Sequence, residues 1–141
     1  MTENKAKNIP AVKEKAFFLD CGRKYFSPSW FEKLFPIMKA SDLNAIYLHF
    51  SEEMGLRLES KQFPWLAGGD HTLCVHGAAK GMAEDDKKFL TQDEMRYIVS
   101  VAKEFGISVI PSFDSPGHMN YAVKKYNSHF KTDIGNYFHK N

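Results

Sequence analysis

The chain has 141 residues, of which 43% are hydrophobic and 26% are charged, and 19 basic residues nearly balance 17 acidic ones. This length and apolar content suit one domain with a modest core and argue against a disordered chain. A net charge of +2 gives no basic field for nucleic acid, and no run of about 20 apolar residues is present that would cross a membrane.

The N-terminal residues carry no targeting signal. Residues 1–10 lack the apolar stretch of a secretory signal peptide, and the two cysteines, Cys21 and Cys74, are too few for a disulfide framework. We therefore expect a cytoplasmic protein. The lysines of the first fifteen residues are interrupted by acids, which predicts a flexible, solvated leader over residues 1–15 and one domain over residues 16–141.

Three short apolar segments rich in β-branched and aromatic residues predict β-strands over residues 16–20, 44–50 and 107–113. After the first of them, Ser27 and Pro28 are typical of a helix N-cap followed by proline at the first helical position. An apolar stripe with helical spacing follows, formed by Trp30, Phe31, Leu34, Phe35, Ile37 and Met38. Pro36 lies inside this stripe and predicts a kinked or broken helix.

A second helix is predicted before the third strand. Thr91 and Glu94 have the spacing of a capping box, and Gly106 stands where a left-handed residue ends a helix. Its predicted buried face consists of Met95, Ile98, Val99, Ala102 and Phe105. A third helix is expected over residues 117–126.

The alternation of strands and helices predicts an α/β fold with parallel strands and right-handed crossovers. The segment from residue 51 to residue 90 is unusually long for a plain loop. We expect it to carry function or a small structure of its own.

Polar residues follow each predicted strand: Asp20 and Arg23, then His49, Glu52, Glu53 and Arg57, then Asp114 and His118. In parallel α/β folds the carboxyl ends of the strands and the loops that leave them build the active site. We therefore expect these side chains to converge on one rim. Taken singly, each also has a structural interpretation, such as a surface ion pair for Arg23 or a core hydrogen bond for His49.

The segment after residue 70 contains three residue types that bind zinc, namely His71, Cys74 and His76. Strong zinc motifs place paired ligands at two separated sites, and this glycine-rich segment does not. The chain also lacks a phosphate-binding loop, a dinucleotide-binding motif and a Gly-x-Ser-x-Gly motif. We expect neither a metal site nor a cofactor.

Three strand-end motifs together resemble glycoside hydrolase family 20, the β-N-acetylhexosaminidases. They cover residues 18–26, 43–59 and 109–118, and the resemblance extends over about residues 16–127. Three ordered motifs are much more specific than any one of them. The resemblance implies the N-terminal part, about three β/α units, of a TIM (β/α)8 barrel.

The resemblance also implies an activity, the removal of terminal β-linked N-acetylglucosamine or N-acetylgalactosamine with retention. The 2-acetamido oxygen of the substrate, an oligosaccharide or glycoconjugate, attacks the anomeric carbon, while an Asp-Glu pair orients the acetamido group and protonates the leaving oxygen. By position, Arg23 would bind the sugar hydroxyls. Glu52, Asp114 and His118 would form a buried polar chain that supports the general acid, with His49 and Arg57 as structural members of the rim.

The chain departs from the family pattern in two positions and in its length. Glu52 stands where the family usually has Asp, and Leu56 stands where it usually has an aromatic residue. The family's Asp-Glu pair follows the fourth strand, so we expect no catalytic residue in this chain, a barrel truncated at its C-terminus, and an inactive fragment. Three unclosed strands leave edges and apolar faces, which predicts self-association or assembly with the rest of a barrel.

Two alternatives to a glycosidase fragment of family 20 remain. One is a non-catalytic partial barrel that acts as a carbohydrate-binding or self-assembling module. The other is a different barrel enzyme, such as a family 18-like chitinase, but the Asp-x-x-Asp-x-Asp-x-Glu signature of that family is absent from the sequence.

Overall fold

The computed structural model describes residues 12–74 and 82–135. In chain order the elements are β1 (Ala16–Asp20), α1 (Pro28–Ala40), β2 (Ala45–His49), β3 (Ser51–Glu52), β4 (Gly55–Leu56), β5 (Gly68–Gly69), a 3-10 turn (His71–Leu73), α2 (Met82–Asp85), α3 (Gln92–Glu104), β6 (Ser108–Ser112) and α4 (Asn120–Phe130). All three predicted strands are therefore present. Among the described residues, no helix combines the length and apolar content needed to cross a membrane.

The main sheet contains β1, β2 and β6, with β2 in the centre and both neighbours parallel to it. The predicted parallel arrangement is confirmed. In the register of the sheet, Asp20, His49 and Ser112 lie side by side at the carboxyl ends of the three strands. This register brings the three strand-end segments to one edge.

The core lies between the sheet and the helices α1 and α3. It contains Phe31, Phe35 and Met38 from α1, Ile98 and Ala102 from α3, and Leu19, Ile46 and Leu48 from the sheet, all of them buried. Two residues of the predicted apolar faces lie outside this core, because Ile37 is 63% exposed and Val99 is 44% exposed. The predicted burial of Val99 is therefore wrong, and Ile37 lies at the exposed margin of the apolar stripe of α1.

Helix α1 continues through Pro36, so of the two predicted outcomes the broken helix is wrong, and the kink stays a prediction. Pro36 and Glu32, whose carbonyl loses its hydrogen-bond donor, both lie on the exposed face of the helix. Water can therefore satisfy this carbonyl, and packing of the opposite face holds the helix together.

The ends of α3 agree with the sequence pattern. Thr91 Oγ1 accepts a hydrogen bond from the Glu94 amide at 3.1 Å, and the Glu94 carboxylate accepts one from the Thr91 amide at 2.8 Å. Gly106 follows the helix with a φ of 70°. The third helix is shifted from its prediction, since α4 begins at Asn120 and extends to Phe130.

The long segment between β2 and α3 forms a small structure of its own, as predicted. Strands β3, β4 and β5 make a three-stranded antiparallel sheet in which Glu52 pairs with Gly55 and Gly55 pairs with Gly69. This small sheet leaves directly from the carboxyl end of β2. It therefore holds Glu52 at the edge where the parallel strands end.

The domain boundary at residue 15 stays a prediction. The first eleven residues of the predicted leader lie outside the described residues. At its end, the side-chain amide of Asn44 donates to the Lys13 carbonyl at 2.8 Å, and the Lys15 amide donates to Asn44 Oδ1 at 2.8 Å. These bonds connect residues 13–15 to the start of β2.

Candidate functional site

Three of the predicted site residues meet around one buried carboxylate. Glu52 is 3% exposed, and its Oε1 accepts a hydrogen bond from the Arg23 guanidinium and lies 2.9 Å from His118 Nδ1. The distance between His118 and Glu52 is that of an ion pair when the ring is protonated. The three residues follow three neighbouring parallel strands, so the predicted convergence of Arg23, Glu52 and His118 is observed.

Arg23 is held in place by the strand that precedes it. The Arg23 amide donates to Asp20 Oδ1 at 3.0 Å, and the guanidinium donates to Asp20 Oδ2 at 2.6 Å. Burial by itself would lower the pKa of Arg23, but the bond to Asp20 and the negative charges of Asp20, Glu52 and Glu53 raise it overall. Arg23 is thus a fixed cation whose side chain is still 52% exposed.

A second polar pair lies beside the first. His49 Nε2 lies 3.2 Å from Asp114 Oδ2, and His49 Nδ1 lies 3.2 Å from Ser112 Oγ. The carboxylate requires a proton on Nε2, so in the neutral ring Nδ1 accepts from the serine hydroxyl. The Asp114 amide donates to Ser51 Oγ at 2.7 Å, which fixes the loop after β6 to the start of β3.

The expected supporting chain of Glu52, Asp114 and His118 stays a prediction, and the structure shows how its members pair in this chain. Within the described residues, the Asp114 carboxylate pairs with His49, and His118 pairs with Glu52 at 2.9 Å. His118 is also 51% exposed, so this member of the chain is not buried. The two pairs adjoin, since ligand atoms of His49, Glu52 and Asp114 lie within 4.8 Å of one another. The physical reason is the register, which sets His49 beside Ser112 and brings Asp114 within its reach.

The polar groups border an open cavity of about 220 Å³, lined among others by Glu52, Asp114, His118, Leu56 and Phe113. The lining therefore combines ionisable and apolar side chains. Leu56, at the position where an aromatic residue was expected from the resemblance, is one of the apolar side chains. This combination suits a ligand that presents hydroxyl groups on one side and C–H groups on the other.

Three groups of side chains in the described residues place possible metal ligands within 4.8 Å of one another: His49, Glu52 and Asp114; Glu52, Glu53 and His118; and Asp70, His71 and Asp86. The first two share Glu52, whose charge is already matched by the guanidinium of Arg23. In the third group, the Asp70 carboxylate binds Lys124, and His71 Nδ1 lies 2.6 Å from Asp86 Oδ2.

Only part of the zinc-type motif lies among the described residues. His71 makes its contact with Asp86, whereas His76 lies outside the described residues. A second cation beside Arg23 or Lys124 is electrostatically unfavourable. The absence of a metal site stays a prediction.

Three residues at this edge were not singled out in the sequence. Ser51 and Ser112 bind Asp114 and His49, and Gly22 lies so close to Glu52 that a Cβ on Gly22 would be 2.6 Å from the Glu52 Cβ. The strand register would have indicated Ser112, because it lies opposite His49. The contact of Gly22 with Glu52 depends on how two loops pack, and no local pattern reports it.

The chain is similar to known proteins in fold and in sequence. The family model for the glycosyl hydrolase family 20 catalytic domain matches residues 15–140. A beta-hexosaminidase of Vibrio furnissii is 31% identical over 124 residues, which are 84% of this chain and 20% of that protein.

Two solved structures have the same fold over most of the chain. The beta-N-acetylhexosaminidase of Bacteroides fragilis superposes with a TM-score of 0.68 at 30% identity, over 84% of this chain and 23% of that one. The family 20 exo beta-N-acetylglucosaminidase of Vibrio harveyi, in complex with N-acetylglucosamine, has a TM-score of 0.68 at 26% identity, over 86% of this chain and 19% of that one.

These relatives are much longer than the present chain, which spans 20%, 23% and 19% of their lengths. Family 20 enzymes have a TIM barrel, and the parallel α/β arrangement of this chain corresponds to part of it. The match of the family model over residues 15–140, with the similarity to these hexosaminidases, shows that the chain belongs to glycoside hydrolase family 20 and lies within its catalytic domain.

Proposed function

We propose that the chain supplies the first three strand–helix units of the TIM barrel of a retaining β-N-acetylhexosaminidase. The substrate is an oligosaccharide or glycoconjugate with a terminal β-linked N-acetylglucosamine or N-acetylgalactosamine. The observation that carries this proposal is the meeting of Arg23, Glu52 and His118 at the carboxyl ends of three neighbouring parallel strands. The Vibrio harveyi relative, whose structure contains N-acetylglucosamine, supports the choice of sugar.

In this proposal Arg23 binds the hydroxyl groups of the terminal sugar. A guanidinium has five N–H donors in one plane, and Asp20 and Glu52 each accept a hydrogen bond from it. Since half of the side chain is exposed, the other donors are available to a ligand. The two carboxylates hold the plane of the guanidinium, so little conformational freedom is lost when a sugar binds.

Glu52, His118, Asp114 and His49 act as supporting residues in the same proposal. Glu52 holds the His118 ring on the side of Nδ1, and in the proposal Nε2 faces an acid from another part of the barrel. The 2-acetamido oxygen of the sugar then attacks the anomeric carbon, and the general acid protonates the leaving oxygen. In our proposal the Asp-Glu pair for these steps is not among these 141 residues.

The test of the proposal is sugar binding by the chain and its Arg23 variants. N-acetylglucosamine is titrated into isotope-labelled protein, and the dissociation constant is obtained from NMR shift changes. Arg23→Met removes charge-assisted hydrogen bonds worth about 1.5–3 kcal/mol, so affinity should fall by roughly 10- to 150-fold. Arg96→Met, at an exposed arginine of α3, is the control and should bind like the unaltered chain. Equal affinities of the two variants would contradict the proposed role of Arg23.

Turnover provides a second test. The purified chain should not cleave a chromogenic N-acetylglucosaminide above the rate of a blank. Robust hydrolysis would show that the assignment of the catalytic pair to residues outside this chain is wrong.

A specific observation also favours the alternative of a self-assembling module. Phe18 on β1 is 58% exposed and Phe113 after β6 is 51% exposed, and both lie on outer strands of the parallel sheet or directly after them. Uncovered apolar groups and strand edges promote association. Light scattering should therefore detect oligomers, and a sharp monomer would contradict this alternative. The cytoplasmic location remains a prediction.

A further inference from the structure

Arg57, directly after β4, is the most deeply buried charged residue in the part of the chain that the structure describes. It is 2% exposed, and its guanidinium donates to the backbone carbonyls of Asp85 and Lys88, the latter at 2.9 Å. Among the described residues, Nε of Arg57 has no hydrogen-bond partner. The buried cation is thus held by carbonyl oxygens at the end of α2.

Burying a cation without an anionic partner is costly, and an apolar residue of similar size would avoid that cost. Burial accordingly lowers the pKa of Arg57, although the charges of Asp85 and Asp86 oppose this effect. We therefore looked for an interaction of Arg57 that an apolar side chain could not make. Directional hydrogen bonds to two carbonyls are such an interaction.

Two glycines create the space in which the guanidinium lies. A Cβ on Gly69 would overlap the guanidinium, and a Cβ on Gly55 would lie 3.1 Å from Nε. A Cβ on Gly55 would also lie 2.8 Å from the carbonyl oxygens of Gly22 and Gly68. Arg57 is therefore fitted against the backbones of β4 and β5 and fixes the position of both.

The position of β4 determines the position of Glu52. Glu52 pairs with Gly55 in the β3–β4 hairpin, and the Arg57 amide donates to the Phe50 carbonyl at 2.9 Å, which closes this hairpin. At the other side, Gly22 contacts the backbone of Glu52 directly. The hairpin that carries Glu52 is thus held between the loop after β1 and the guanidinium of Arg57.

We propose that Arg57 is a positioning residue for the sugar site: it connects the β3–β4 hairpin to the end of α2 and so holds the Glu52 carboxylate against Arg23 and His118. The inference rests on the proposed function only in taking Glu52 as part of that site. The dependence of the Glu52–His118 contact on Arg57 can be tested without any sugar.

The experiment follows the Glu52 carboxyl and His118 ring signals by NMR in the full chain. Both carbonyl contacts come from Nη1 of Arg57. Arg57→Gln removes the charge and shortens the side chain, and Arg57→Lys keeps the charge but not the planar guanidinium. Ile98→Ala, in the core on α3 and outside the hairpin, serves as a control for general loss of stability. Thermal melting of each variant is measured alongside.

We expect Arg57→Gln to shift both the Glu52 and the His118 signals, Arg57→Lys to shift them less, and Ile98→Ala to leave them in place despite a lower melting temperature. If Arg57→Gln fails to fold, the Glu52 and His118 signals of Arg57→Lys alone test the proposal. The proposal would be overturned if the Glu52 and His118 signals of the folded Arg57 variants coincided with those of the unaltered chain. It would also be overturned if these signals moved equally in Ile98→Ala. If the chain failed to bind N-acetylglucosamine, the proposed function would be contradicted. The comparison of the Glu52 and His118 signals between the variants would still test the role of Arg57.

Discussion

The contact between Gly22 and Glu52 gives the sharpest test of how the site is built. Gly22 is buried, and a Cβ at this position would lie 2.6 Å from the Cβ of Glu52 and 2.8 Å from its amide nitrogen. Neither of these atoms can rotate away. To restore an ordinary contact of 3.4 Å, the two segments must separate by about 0.6–0.8 Å, which the packed core resists.

Gly22→Ala should therefore destabilise the chain by about 1–3 kcal/mol, the usual cost of an added methyl group in a well-packed region. For a domain of this size that corresponds to a melting temperature lower by roughly 3–10 °C. The displacement should also draw Glu52 away from Arg23, the neighbour of Gly22, and weaken binding of N-acetylglucosamine. Both effects arise from one shift of the backbone.

Gly117→Ala is the matched control, because it lies in the loop after β6 with nothing within 4 Å of the added Cβ. This substitution should be neutral or stabilise by about 0.4–1 kcal/mol through the unfolded state. Both variants are melted with circular dichroism as the probe and titrated with N-acetylglucosamine. The reasoning would be refuted if Gly22→Ala melted within about 2 °C of the unaltered chain and bound the sugar equally well.

Two further predictions concern stability. Thr91→Ala removes the N-cap of α3, which should cost about 1 kcal/mol in urea unfolding, whereas the exposed Ser100→Ala on the same helix should stay within about 0.5 kcal/mol. Burial raises the pKa of Cys21 and of Tyr121 to about 12, from ordinary values of 9.0 and 10.0. Because the unfolded chain releases these protons at lower pH than the folded chain, the free energy of unfolding should decrease as the pH rises from 9 towards 12. Tyr121→Phe should abolish the part of this decrease that begins near pH 10. A pH profile of Tyr121→Phe equal to that of the unaltered chain would contradict the assignment of this part to Tyr121.

Much of the fold was predictable because its signals are local. The three strands, the capping box of Thr91 and Glu94, and the termination at Gly106 each depend on residues close in sequence. The continuity of α1 through Pro36 was not predictable, because it depends on which face of the helix is packed. The burial of Val99 was mispredicted for the same reason.

The candidate site shows the same division. The polar residues after each strand were visible, and the parallel order of the strands implied that they meet. Their partners could not be predicted, since the pairing of Asp114 with His49 and of His118 with Glu52 depends on the register and on the hairpin turn at Glu53 and Met54.

By itself, the sequence determined the order of strands and helices and the set of polar side chains at the carboxyl ends of the strands, because periodicity and turn residues act over a few positions. The tertiary structure decided which of those side chains touch, and it brought Gly22 against Glu52 and Arg57 against Gly69. Such contacts join segments that are distant in the chain, and steric fit between backbones selects them.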